Sequence, residues 1–127
     1  MTTPHNPVTW FGIRATDLTR AKYFYETVFG YVLHEAGAPD GSSRFCLFPT
    51  DWQSHGTGGM LWLDTQTTAT GYGGTTVFFE CADCEATAQA AVSAGGKLLQ
   101  AKFPMSQGFT AFIEDTEGNR IGLHSRK

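Results

Sequence analysis

Arg14, Glu80 and His124 are the residues of this sequence whose side chains could act chemically on a bound molecule. A guanidinium binds a carboxylate or phosphate through two parallel hydrogen bonds. An imidazole can act as an acid or base near neutral pH, or simply donate a hydrogen bond. Arg14 and Glu80 could also pair with each other, and the sequence favours this structural ion pair because charges inside proteins are usually paired. For His124, close to the C-terminus, plain solvent exposure is favoured.

Aromatic side chains share the strand faces of these three residues. Side chains alternate between the two faces of a strand, so Trp10 faces with Arg14, and Phe78 faces with Glu80. The rings fit two interpretations equally well, stacking on a flat ligand or filling the sheet. A hollow with aromatic walls and few polar anchors is the usual make-up of a small-molecule site. The predicted ligand-binding pocket consists of Trp10, Arg14, Trp62, Thr76, Phe78, Glu80, Phe112 and His124, with no catalytic residue, metal ligand or cofactor assigned.

Cys81 and Cys84 have the CxxC spacing that occurs in redox and metal sites. A zinc site would need a second pair of ligands, and Cys46 is the only other thiol. The sequence therefore favours an accidental pair at the junction of a strand and a helix.

A helix with marked ends organises the first half of the chain. Thr16 or Asp17 can cap its first turn, and Gly30 provides a left-handed stop. An apolar stripe at helical spacing runs between them through Leu18, Ala21, Tyr25, Val28 and Phe29. The preceding residues, Val8–Ala15, are predicted to form a strand.

The same pattern returns 66 residues later, which indicates two copies of one module. Asp83 corresponds to Asp17 and Gly96 to Gly30, and Thr75–Cys81 is the strand before the second helix. The stripe of the second helix consists of Cys84, Thr87, Ala88, Ala91 and Val92. The other predicted strands are Tyr31–Glu35, Arg44–Pro49, Met60–Leu63, Lys97–Lys102, Phe109–Glu114 and Arg120–His124, with a turn at Phe103–Gly108.

Each module is thus predicted to have the order β-α-β-β-β, in an α+β fold. Two curled mixed sheets would enclose a hollow, with the helices outside. We expect one domain over residues 1–127, with module one at about 8–64, a linker at about 65–74 and module two at about 75–124.

Composition excludes several kinds of partner. The net charge is −3 and no basic stripe appears, so nucleic acid is not an expected partner. No apolar run approaches the roughly 20 residues of a membrane span. The N-terminus lacks the pattern of a secretory signal, so the expected location is the cytoplasm. Histidines 5, 34 and 55 are expected on the solvated surface. Trp52, in the loop Thr50–Gly59, could belong to a lid.

The chain resembles the vicinal oxygen chelate superfamily, the fold of glyoxalase I, bleomycin-resistance proteins and extradiol dioxygenases. The pattern from Ala15 to Gly30, A-x-D-L-x-R-A-x-x-F-Y-x-x-V-F-G, is similar to its first-helix signature. The run from Phe112 to Gly122 is similar to its closing hairpin, with Thr116 where proline is usual. Gly95 and Gly96 fit the end of its second helix.

The resemblance implies four metal ligands, a His or Gln and a Glu from each module, that face one hollow and hold a divalent ion. In this sequence the implied positions carry Trp10, Thr76, Leu61 and Gly122, none of which suits such an ion. A rearranged metal site built from His55, His124 and Glu80 or Glu114 is a lesser alternative, because their spacing follows no ligand pattern.

The sequence analysis therefore favours a metal-free protein that binds a small aromatic or acidic molecule. The alternative is a lyase-, isomerase- or dioxygenase-like enzyme with a displaced or absent metal, acting through Arg14 and His124. A third and weaker interpretation is a degenerate fold kept for protein contacts. The resemblance and the apolar strand faces also favour a homodimer, with or without exchange of modules between chains.

Overall fold

The computed structural model describes residues 10–41, 43–54, 56–63, 75–105 and 108–127. Module one contains β1 (Trp10–Ala15), α1 (Leu18–Phe29), β2 (His34–Gly37), β3 (Arg44–Leu47) and β4 (Gly58–Leu63). Module two contains β5 (Val77–Glu80), α2 (Cys84–Ser93), β6 (Lys97–Met105), β7 (Gly108–Glu114) and β8 (Arg120–Ser125). The β-α-β-β-β order occurs twice, which confirms the predicted fold class. The predicted linker, residues 8–9 of the first predicted strand, His5 and His55 lie outside the described residues.

Each module forms a four-stranded mixed sheet, in the order β1-β4-β3-β2 for the first and β5-β8-β7-β6 for the second. The first strand of each module pairs in parallel with the last, and the other pairs are antiparallel. As a result β1 and β5 are both edge strands. Neither helix, at 12 and 10 residues, is long and apolar enough to cross a membrane within the part of the chain that the structure describes.

Both helices begin at an aspartate, as the sequence indicates. The Asp17 carboxylate accepts a hydrogen bond from the Arg20 N–H, and the Asp83 carboxylate accepts one from the Glu85 N–H. Gly30 ends α1 with φ 74°, a left-handed conformation that a glycine adopts without steric cost. Of the predicted second stripe, Cys84, Ala88 and Ala91 are buried in α2.

The core lies between each helix and one face of its own sheet. Alternation along the strands decides which residues enter it: Ile13 and Ala15 of β1 are buried, as are Ile121 and Leu123 of β8. Within the described ranges no helix packs on the opposite face of either sheet, and we call this the helix-free face. The two cores join through Phe79 of β5, which packs against the rings of Phe11, Tyr25, Phe29, Tyr31 and Phe48 from module one.

A buried carboxylate in the β7–β8 turn binds the start of α1. Glu117 is 3% exposed, and its carboxylate accepts hydrogen bonds from the backbone N–H groups of Thr16 and Asp17. Arg20 adds two more from its guanidinium, at 2.7 and 3.1 Å. Burial by itself would raise the pKa of Glu117, but these donors, with the Thr116 hydroxyl, lower the pKa to about 2. The ionised carboxylate therefore joins the two modules.

A second buried contact between the modules lies beside it. The Tyr25 hydroxyl of α1 donates to the Asp115 carboxylate at 2.8 Å. The same carboxylate accepts bonds from the backbone N–H groups of Glu117 and Asn119. Burial raises the pKa of Asp115 in spite of these bonds.

Two expectations about element bounds and one about a helix face are wrong. The second strand begins at His34 instead of Tyr31, because the Leu33 N–H donates to the Glu26 carboxylate and so keeps this segment at the end of α1. No turn occurs at Phe103, because β6 continues to Met105 and pairs with β7. Since β6 is an edge strand, Pro104 fits within it.

The third concerns Val92, which was expected in the apolar stripe of α2 but is 49% exposed. The small side chains of Cys84, Ala88 and Ala91 let the helix approach its sheet along a narrow line. Val92 lies outside that line.

We expect the Glu117→Gln substitution to lower the free energy of unfolding by about 3 kcal/mol at pH 7, as the lowered pKa implies. A Gln amide would also turn an NH₂ group toward donors that need an acceptor. Urea unfolding measures the change. The control is Glu35→Gln, which removes a half-exposed carboxylate 3.6 Å from Arg44 and should cost less than about 1 kcal/mol.

The difference between wild type and Glu117→Gln should depend on pH. The folded pKa lies below the ordinary value of 4.5, so the unfolded chain binds the proton more tightly. The stabilisation is therefore complete above about pH 5 and disappears as the pH falls toward 2. A difference that does not change with pH would contradict the ionised carboxylate.

Candidate functional site

A cavity of about 770 Å³ lies between the edge strands β1 and β5. Trp10 and Gly12 form part of one wall, and Thr76, Phe78 and Glu80 form part of the other. The remaining wall includes aromatic side chains that the sequence analysis did not assign to the pocket, namely Phe11, Tyr31, Phe48 and Phe79. No sequence signal separates these four from ordinary core residues, because their rings also pack on one another.

The structure divides the predicted pocket residues into two groups. Those that line the cavity are Trp10, Thr76, Phe78 and Glu80. The others, Arg14, Trp62, Phe112 and His124, alternate with buried core residues along their strands and thus lie on the helix-free faces, outside the cavity wall. The cavity and the two helix-free faces together form the candidate site.

Trp52 stacks on Trp10, a ring of the cavity wall. The two rings have 5.7 Å between centroids and 8° between planes. Trp52 itself is 78% exposed and belongs to the loop before β4, and Thr57 of that loop lines the cavity. The loop predicted as a possible lid therefore contacts the site through a parallel aromatic pair.

Glu80 pairs with His124 and does not pair with Arg14. His124 Nδ1 lies 2.8 Å from the Glu80 carboxylate, across adjacent positions of β5 and β8. The backbone of Arg14 lies beside the other end of β8, because its carbonyl accepts a hydrogen bond from Asn119 Nδ2. Asn119 directly precedes β8, which begins at Arg120. His124 is four residues farther along that strand, or roughly 13 Å. Arg14 and Glu80 are thus at opposite ends of the site, and the expected ion pair between them is wrong.

An aromatic ring covers Gly122. A Cβ built at Gly122 would overlap the ring of Phe78, which extends from the neighbouring position of β5. Phe78 is still 53% exposed and contacts Phe112 edge to face, with 5.7 Å between centroids. The place of a side chain at position 122 is thus taken by an aromatic ring.

Strand register corrects one of the four positions at which the resemblance implies metal ligands. Gly12 is paired with Met60, as Phe78 is paired with Gly122, so Met60 is the counterpart of Gly122 in module one. Leu61 is fully buried in the core, and the expectation that it faces the hollow is wrong.

The residues at these four positions do not fit a divalent ion. The indole of Trp10 is only a donor, the Met60 thioether and the Thr76 hydroxyl are weak neutral ligands, and Gly122 has no side chain. Among the described residues, no group of three or more His, Cys, Asp or Glu side chains is placed to hold a metal ion. In the alternative metal site built from His55, His124 and Glu80 or Glu114, His55 is outside the described residues, and Glu80 and His124 contact each other.

The surroundings of the two CxxC thiols fit a structural role. Cys84 is fully buried, and its thiol contacts the Phe109 carbonyl at 3.3 Å and the Ser125 hydroxyl at 2.9 Å. Cys81 is partly exposed, and burial raises its pKa, whereas a reactive thiolate needs a lowered one. Burial also raises the pKa of Tyr31 in the cavity wall, so its phenol stays neutral at physiological pH.

A separate groove of about 630 Å³ runs between α2 and β6. Its wall is mainly apolar and includes Val92, Leu98 and Phe103. No residue of the predicted pocket lines it. We therefore place the candidate site at β1 and β5.

Comparison with known proteins connects this geometry to one family. The family profile described as Glyoxalase/Bleomycin resistance protein/Dioxygenase superfamily matches residues 8–123. Glyoxalase I from Zea mays is 22% identical with a TM-score of 0.72, over 94% of this chain and 46% of the maize chain. A glyoxalase/bleomycin resistance protein from Albidiferax ferrireducens T118 is 18% identical with a TM-score of 0.71, over 96% of this chain and 100% of its own. The trypanothione-dependent glyoxalase I of Leishmania major is 18% identical with a TM-score of 0.71, over 96% and 88%.

These likenesses establish the fold. The chain spans about half the length of the maize enzyme and the whole of the Albidiferax protein. No curated protein matches the chain.

The contact between Phe78 and Gly122 can be tested by a double-mutant cycle. We expect Gly122→Ala to destabilise the wild type by about 1–3 kcal/mol, because the new methyl group would force the Phe78 ring to move. In a Phe78→Ala background the same change should cost less than about 0.5 kcal/mol, since alanine suits a strand better than glycine. Urea unfolding of the four proteins gives the coupling energy. Additive effects would mean that the ring does not lie over Gly122.

Proposed function

We propose a function from the premise that this chain belongs to the glyoxalase/bleomycin resistance protein/dioxygenase superfamily. In this proposal the cavity between β1 and β5 binds a small aromatic or acidic molecule without a bound divalent ion. One observation carries the proposal. Where the resemblance implies metal ligands, this chain offers indole, hydroxyl, thioether and a glycine covered by the Phe78 ring. Such a surface suits a flat apolar molecule far better than a cation.

The dimensions of the cavity support this proposal. A volume of about 770 Å³ falls within the usual 300–1,000 Å³ range of small-molecule sites. The wall includes six aromatic residues, and its charged member is Glu80, paired with His124. Binding of this kind resembles capture of a drug-like molecule more than turnover of a chelated substrate.

The pair Glu80–His124 is the observation that favours an enzyme as second candidate. A carboxylate on one ring nitrogen selects the tautomer and orientation of an imidazole, as in acid–base catalysis. In this alternative the protein is a lyase- or isomerase-like member of the superfamily that moves a proton through His124. Substrate consumption that is lost on His124→Gln, with binding retained, would favour the enzyme.

We also propose a homodimer. The proposal is based on the family resemblance and on two exposed rings of the helix-free faces, Trp62 and Phe78, which are 37% and 53% exposed and could be covered by a second chain. Analytical ultracentrifugation at micromolar concentration should give about twice the monomer mass of 13.8 kDa. A species of monomer mass would contradict the proposal.

The proposal predicts that aromatic carboxylates raise the melting temperature and that metals do not. A ligand at 100 times its Kd stabilises the folded state by about 2.7 kcal/mol through linkage. The assay compares a panel of aromatic carboxylates with added Zn²⁺, Ni²⁺, Mn²⁺ and Fe²⁺, and elemental analysis measures the metal content of the purified protein. Stoichiometric, tightly held metal would overturn the metal-free site.

Replacement of a ring in the cavity tests where the molecule binds. We expect Trp10→Ala to weaken binding about fivefold, because one aromatic contact contributes on the order of 1 kcal/mol. Val92→Ala is the matched control, since it truncates a half-exposed apolar side chain on α2, away from the cavity. Isothermal titration calorimetry with the best aromatic carboxylate of the panel gives both values. An equal effect of the two substitutions would move the site elsewhere.

A further inference from the structure

The hydroxyl of Tyr31 is a polar group in the wall of the cavity between β1 and β5. Two other polar side chains of this wall already have protein partners. The Glu80 carboxylate lies 2.8 Å from His124 Nδ1, and the Thr76 hydroxyl accepts a hydrogen bond from an arginine on β8. Within the part of the chain that the structure describes, the Tyr31 hydroxyl makes no hydrogen bond.

The oxygen of this hydroxyl is accessible to solvent. Every fully buried side-chain nitrogen or oxygen of the described residues has a hydrogen-bond partner. Tyr31 is only partly buried and its hydroxyl has no partner, so this oxygen is not among the fully buried atoms. A bound molecule that displaces water from it must provide an acceptor in place of the water, or leave the O–H group unpaired at a cost in affinity.

Three neighbouring rings hold the Tyr31 side chain in place. Phe29, at the end of α1, stacks on it with 5.6 Å between centroids and 13° between planes. Phe48 meets it edge to face at 6.0 Å, and Phe79 packs against it at 6.3 Å. Phe48 and Phe79 also line the cavity. Because the ring is already ordered, the hydroxyl loses little conformational freedom when a ligand binds.

The Tyr31 hydroxyl is a hydrogen-bond donor at physiological pH. Burial raises the pKa of this phenol, and the nearby Cys81 raises it further. The proton therefore stays on the oxygen, and the group can donate an O–H bond. A single fixed donor on a wall with six aromatic residues is the kind of polar anchor that orients a small apolar molecule.

We propose that the Tyr31 hydroxyl donates a hydrogen bond to an oxygen atom on a flat aromatic ligand of this cavity. The oxygen can belong to a carboxylate or to an uncharged carbonyl group, since both accept an O–H bond. The inference rests on the proposed function. It specifies which polar group of the ligand is recognised and which side chain recognises it.

The test removes the hydroxyl from the protein and the oxygen from the ligand. Isothermal titration calorimetry on the full chain measures the Kd of naphthalene-2-carboxylate, naphthalene-2-carboxamide and naphthalene. We expect Tyr31→Phe to weaken binding of the carboxylate about 10-fold or more and of the carboxamide about fivefold, as the net energies of charged and neutral hydrogen bonds imply. Affinity for naphthalene, which has no acceptor, should not fall.

The matched control is Tyr23→Phe. Tyr23 is on α1, is 62% exposed and does not line the cavity, so its substitution removes the same atom from a remote place. It should leave all three Kd values within about twofold of wild type, a change of about 0.4 kcal/mol. Tyr31→Phe keeps the ring and its three aromatic contacts, so folding of this variant is expected, and thermal unfolding checks it.

Failure of the inference differs from failure of the proposed function. A Tyr31→Phe protein that binds both oxygen-containing probes as tightly as wild type, or that loses affinity for all three probes equally, overturns the role of Tyr31 and leaves the binding function intact. A selective loss for one of the two oxygen-containing probes supports the role and identifies the kind of oxygen recognised. A wild type that binds none of the probes overturns both.

Discussion

The carboxylate of Glu117 is the interaction on which the arrangement of the two modules depends. It belongs to the β7–β8 turn of module two, yet its hydrogen-bond donors are the first backbone N–H groups of module one's helix and the side chain of Arg20. A helix N-terminus favours a negative charge, and here that charge comes from the other half of the chain. Together with the contact between Tyr25 and Asp115, it holds the edge strands β1 and β5 beside each other. The cavity is the space between those two strands.

The chemistry of the cavity follows from which side chains the two edge strands direct into it. Parallel pairing of first and last strands places Gly12 beside Met60 and Phe78 beside Gly122, so each pair combines a small residue with a large one. In module two the large residue is an aromatic ring over the glycine, next to a second ring that carries the Arg120 guanidinium. An aromatic ring therefore lies over one of the positions at which the resemblance implies a metal ligand. The interior of this fold can hold either kind of group, because the backbone frame does not require one of them.

Much of this fold could be predicted from the sequence, because its signals are local. Asp17, Gly30 and Asp83 act through their own backbone neighbours, so the helix ends are readable without tertiary information. The side chain that faces the hollow from β4 could not be predicted in this way. Leu61 was expected there, but strand register places Met60 there, and a shift of one residue reverses such an assignment. The pairing of Glu80 with His124 could not be read from a 66-residue offset either, because the repeat relates Glu80 to Arg14 without bringing them together. The contacts of Arg120 with Phe112 and Thr76 likewise depend on strand pairing and side-chain direction.

The duplicated frame has a consequence for the orientation in which a molecule can bind. Its two halves repeat the same backbone, yet Gly12 corresponds to Phe78 and Trp10 to Thr76, so opposite walls of the cavity differ in bulk and polarity. Trp52 stacks on Trp10, and this contact has no counterpart at Thr76 among the described residues. A two-fold symmetric container would offer an unsymmetric molecule two equivalent orientations, whereas a container with unlike walls offers only one of each kind. Divergence of side chains on a repeated backbone is thus sufficient to select one binding orientation, without any change in the frame itself.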